Sequence, residues 1–117
     1  MDFINIKKTL VLLGLIFLTT SCSKSDIHVP NCIDSKISEF KNAPVQNPPA
    51  EVWKWVDGGK IYYYITSDCC DQYNYLYDKD CEIVCAPDGG FTGNGDGKCP
   101  EFSSEIAKTL IWKDVRN

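Results

Sequence analysis

Residues 52–66 read VWKWVDGGKIYYYIT. Two runs of aromatic and β-branched residues flank Gly58-Gly59, and glycine supplies the positive φ that a two-residue hairpin turn requires. With the glycines at the tip, Val56 pairs with Ile61, Trp55 with Tyr62, Lys54 with Tyr63, Trp53 with Tyr64 and Val52 with Ile65. Moving the turn to Asp57-Gly58 would set Trp55 against Lys60, a poorer cross-strand pair. Side chains alternate along a strand, so one face carries Val52, Val56, Ile61 and Ile65 around Lys54 and Tyr63. The other carries Trp53, Trp55, Tyr62 and Tyr64. A hairpin apolar on both sides is either covered twice or binds something with one side. So many aromatic residues in so short a chain must mostly go inside, which makes the Trp53, Trp55, Tyr62, Tyr64 face core beneath a helix. Left exposed, it is a binding face that stacks on sugar rings or anchors a protein partner.

The helix comes from upstream. In residues 31–41, NCIDSKISEFK, the apolar Ile33, Ile37 and Phe40 recur at i, i+4 and i+7, a single stripe. Asn31 or Asp34 is expected to cap its first turn, and Pro44, Pro48 and Pro49 end it. Downstream, residues 67–71 form a loop and a second hairpin joins 73–77 to 81–85 about Asp78-Lys79-Asp80. A glycine-rich loop follows at 86–100, and residues 109–115 make a closing strand, with a helix through 103–106 as the alternative. The fold expected is α+β, mostly β: an antiparallel sheet of two hairpins plus a C-terminal strand, with one short N-terminal helix.

The chain has seven cysteines, an odd number that needs explaining in an exported protein. Export is signalled by Lys7 and Lys8 ahead of the apolar run at residues 9–18, too short to span a bilayer as a helix. That run ends at Thr19-Thr20-Ser21-Cys22, which resembles the processing site of bacterial lipoproteins, although Leu usually stands where Thr19 is. Residues 1–21 read as a lipoprotein signal peptide, Cys22 as the lipidated residue, residues 22–30 as a tether and 31–117 as one domain. Ser23, rather than Asp, after the lipidated cysteine points to the outer membrane.

Lipidation of Cys22 leaves Cys32, Cys69, Cys70, Cys81, Cys85 and Cys99 for disulfides. Cys32 is placed to staple the helix to the sheet. Cys69 and Cys70 are expected to reach different partners, because a ring between adjacent cysteines strains the peptide. Cys81 and Cys85, ~13 Å apart at ~3.3 Å per residue on one strand, are too far apart to bridge each other. Zinc is disfavoured by the lack of any C-x-x-C and by a single histidine, His28, in the tether.

The formal net charge is −4, one unit more negative without Asp2, Lys7 and Lys8. No basic run tracks phosphates, so nucleic acid is not an expected partner; the lipid ties the chain to the membrane. Asp88, Asn94 and Asp96, spaced by glycines, have the composition of a weak calcium loop, but not the D-x-[DN]-x-[DN]-G-x5-E spacing. A disulfide-clamped turn accounts for the glycines without metal, and no cofactor is expected. No serine or cysteine nucleophile has a base beside it. The readings are therefore a non-enzymatic binding module, a protease-inhibitor-like module presenting loop 87–99, and a carboxylate-based hydrolase using Asp88 or Asp96.

Tyr63-Tyr64, Asp68-Cys69-Cys70-Asp71, Leu76-Tyr77-Asp78, Cys85-Ala86-Pro87-Asp88-Gly89-Gly90 and Gly93-Asn94-Gly95-Asp96-Gly97-Lys98-Cys99-Pro100 form a further pattern. Together they resemble a family of small, cysteine-rich bacterial lipoproteins labelled only as a domain of unknown function. The resemblance implies a location and a class of protein. It transfers no activity, cofactor or active site.

Overall fold

The computed structural model describes residues 28–117. The expected signal peptide, Cys22 and all but the last three residues of the expected tether lie outside them. Helix α1 (Asn31–Lys41) precedes five strands, β1 (Glu51–Asp57), β2 (Lys60–Ile65), β3 (Tyr73–Tyr77), β4 (Ile83–Gly89) and β5 (Ala107–Lys113). They form one antiparallel sheet in the order β4-β3-β2-β1-β5. The expected architecture is the observed one: two hairpins, a closing C-terminal strand and a short helix.

The first hairpin has the register read from its glycines, Val56 opposite Ile61 through Val52 opposite Ile65. Gly58 and Gly59 take φ of 58° and 85° at the tip, the left-handed pair that a type I′ turn uses. β5 pairs with β1 along its other edge, with a register shift between Val52 and Trp53.

α1 lies on the Val52 face, not on the aromatic one. Val29, Ile33 and Ile37 pack with Val52, Tyr63 and Ile65, and Phe40, Tyr77, Ile111 and Trp112 close the cluster. Phe40 stacks on Trp112 at 5.9 Å. The reading that placed the aromatic face beneath the helix is corrected here. β5 contributes Trp112 to the opposite face, and Cys32 bonds to Cys81, so the helix is drawn to that side.

The helix has the bounds read from sequence, but its N-terminal cap differs. The N-cap is Pro30, with no side-chain cap; its carbonyl accepts from the Ile33 and Asp34 amides. At the other end Arg116 donates to the carbonyls of Phe40, Lys41 and Ala43 while Asp114 holds its guanidinium. Those carbonyls lie at the negative end of the helix dipole, where a cation belongs.

The second hairpin is shifted. β4 begins at Ile83 rather than Cys81 and runs on through Gly89, into the segment read as loop. Cys81 instead sits in the turn, with φ of 63°. The disulfides are Cys32–Cys81, Cys85–Cys99 and Cys69–Cys70. The first bears out the expected staple of helix to sheet. The last overturns the expectation of separate partners: the other four cysteines among the described residues are paired with each other.

Candidate functional site

With the helix elsewhere, the aromatic face depends on the chain after β4 for its cover. Cys85 is buried, and its bond to Cys99 brings the following segment back over the sheet. Phe102 then meets Trp55 and Tyr62 edge-on, at 5.7 and 5.8 Å. Beyond it Ser103 donates from its hydroxyl and its amide to Asp57, and Ile106 packs alongside. Trp55, Leu76 and Cys85 form the buried centre of this second cluster. The cover reaches only half the face.

The open half is a cleft of about 330 Å³ lined by Glu51, Trp53, Trp55, Tyr64, Thr66, Asp88 and Lys108. Strand alternation puts Glu51, Trp53 and Trp55 of β1 beside Tyr64 of β2. Asp88 reaches it because β4 continues to Gly89, opposite Asn74 of β3. Trp55 stacks on Tyr64 at 5.1 Å, and the Lys108 ammonium sits 4.1 Å from the centre of the Trp55 ring. Trp53 and Tyr64 remain partly exposed.

Both cleft carboxylates are held by donors. The Tyr64 hydroxyl donates to Asp88 at 2.8 Å, and the Asn74 side-chain amide donates to Asp88 at 2.7 Å. Burial first, then the Asp88 carboxylate, pushes the Tyr64 phenol far above its ordinary range, so that hydroxyl remains a donor. The Trp53 indole N–H donates to Glu51 Oε1 at 2.7 Å, and the Lys113 ammonium lies 3.6 Å from Glu51 Oε2.

Of the four aromatic residues named from sequence, the cleft takes Trp53, Trp55 and Tyr64. Tyr62 lies under Phe102 and borders a different depression, with Lys60, Asp78 and Asp80. Asp88, named for calcium, belongs to the cleft. Asp96 turns back on its own loop to accept from the Lys98 amide, and Asn94 bridges Gly89 through its backbone. Among the described residues no group of three or more His, Cys, Asp or Glu side chains converges. Glu51, Thr66, Asn74 and Lys108 were not singled out. Their signal was period-2 alternation, which marks Glu51 and Thr66 as facing with Trp53 and Tyr64.

The loop after β4 is built on backbone bonds. The Gly93 amide donates to Gly90, closing a turn around Phe91 and Thr92, and the Gly95 and Asp96 amides donate to Gly89 and Ala86. Phe91 projects from the turn, 89% exposed.

Fold and cleft together define a small disulfide-stapled sheet domain, covered by a helix on one face and by its own loop on half of the other. The chain belongs to the family described as a domain of unknown function, DUF6970, which matches residues 38–114. No curated protein and no solved structure matches it.

Proposed function

We propose that this chain is a lipid-anchored, non-enzymatic binding module of the cell envelope that takes a protein or glycan ligand in the open half of its aromatic face. Residues 1–21 export it, Cys22 carries the lipid, and Ser23 after that cysteine favours the outer membrane. One observation carries the binding reading: partly exposed aromatic rings and oriented polar groups share a cleft that the covering loop leaves open. Concave sites with a few fixed polar groups are where ligands bind.

The arrangement favours binding over catalysis. Donors from Tyr64, Asn74, Trp53 and Lys113 hold the two cleft carboxylates, whereas a general acid must itself have a proton to give. The protease-inhibitor reading is weaker because Phe91 stands on a glycine turn closed by Gly90 and Gly93. A substrate-like loop needs extended backbone at that point.

Two experiments test the proposal. Cys22→Ala should abolish palmitate labelling and release the protein from the membrane fraction; retained label sinks the anchor. On protein and glycan arrays the wild-type chain should retain a ligand that Trp53→Ala loses, and equal binding by both would remove the cleft from the account.

A further inference from the structure

We infer that the cleft takes an uncharged glycan, a proposal that rests on the binding-module reading above and names its ligand class. The argument is one of elimination by charge. Glu51 and Asp88 bring two negative charges to the site, and Lys108 and Lys113 bring two positive ones. An anion would face both carboxylates, while the two ammonium groups are already engaged, Lys108 over Trp55 and Lys113 beside Glu51. A cation would seek the aromatic face, but the position over Trp55 is already filled by the Lys108 ammonium. A wholly apolar side chain would take the Lys108 ammonium and the remaining carboxylate lone pairs out of water and offer no hydrogen bond in return.

What remains complements a pyranose. Such a ring has an apolar C–H face and an edge of hydroxyls. The Trp53 indole supplies a plane whose rotation is restrained by its bond to Glu51. Beside it stand acceptors in Glu51 and Asp88, an ammonium donor in Lys108 and the Thr66 hydroxyl, which accepts from the Glu51 amide and keeps a second lone pair. Tyr64 and Asn74 fix the Asp88 carboxylate before any ligand arrives, which reduces the ordering that binding must impose. The cleft lies along the sheet and is open, which suits an internal stretch of an oligosaccharide.

The test is calorimetric titration of the purified mature lipoprotein, residues 22–117 in detergent, with neutral hexasaccharides of glucose, mannose and N-acetylglucosamine. Oligogalacturonate, chitosan oligomers and a mixed-sequence peptide set serve as the charged and protein probes. At least one neutral oligosaccharide should bind, with affinity unchanged within twofold between low and high salt. Trp53→Ala and Asp88→Asn should each weaken that binding at least tenfold, while Trp112→Phe, on the helix face, leaves it unchanged. If Trp53→Ala does not fold, Asp88→Asn alone decides. Binding only to charged oligomers or peptides, still lost in these variants, overturns the glycan assignment and leaves the binding site standing. Failure of every probe to bind in a manner sensitive to Trp53 or Asp88 overturns both.

Discussion

Arg116 is the residue on which the C-terminal tail and the helix agree. It donates to three carbonyls around the end of α1 and is held there by the buried Asp114. Arg116→Ala should lower the melting temperature, and Lys should rescue it only in part, because an ammonium cannot reproduce the planar fork. No change in melting would contradict the cap. Leu76 is fully buried beneath the aromatic face, and Leu76→Ala should cost about 2–5 kcal/mol in denaturant unfolding. Gly95 takes φ of 77°, and a Cβ there would collide with the Ala86 carbonyl oxygen. Gly95→Ala should therefore destabilise by more than about 1 kcal/mol. None of these three roles was legible in the sequence. An arginine near a chain end, a leucine in a short strand and one glycine among five in a loop look alike until long-range partners are known.

At the scale of elements, the hairpin of β1 and β2 was legible to its register because its turn and its alternation are local. So was α1, whose stripe lies within three turns. β4 was misread at its start, since Cys81 takes a left-handed turn conformation that nothing local demands. It was misread at its end because the glycines of residues 89–97 mask a strand held by β3. The disulfides divide in the same way. Cys32–Cys81 closes a separation of 49 residues and Cys85–Cys99 one of 14. In the chain-entropy picture their loss should cost about 4 and about 3 kcal/mol respectively. Paired serine variants compared by urea unfolding check the order. The second pair has a further consequence, since its loss frees the segment that carries Phe102, and Trp55 fluorescence should become quenchable by acrylamide.

For the whole molecule, the division of the sheet into a helix-covered face and a half-covered aromatic face governs both stability and function. Three carboxyls accept hydrogen bonds and sit below the ordinary 3.8: Asp57 through Ser103, far along the chain, and Asp96 through the Lys98 amide and Asp114 through Arg116, each two residues away. A carboxyl depressed in the folded state stabilises fully above its unfolded value and loses that contribution as pH falls through its folded one. Thermal stability should hold down to about pH 4 and fall below it; a melting temperature that rises on acidification would contradict those contacts. The aromatic residues of the cleft were legible from the hairpin alone. Which half stays open was not, because that depends on a disulfide and on Phe102, more than 40 residues from the hairpin's start. The most direct test uses the three tryptophan indole N–H signals in a nitrogen-15 correlation spectrum during titration with the ligand the arrays select. Trp53 and Trp55 line the cleft, and Trp112 stacks on Phe40 across the sheet. The account predicts that the Trp53 signal shifts most, Trp55 follows and Trp112 stays in place; shifts confined to Trp112, or none at Trp53 while the ligand binds, would contradict it.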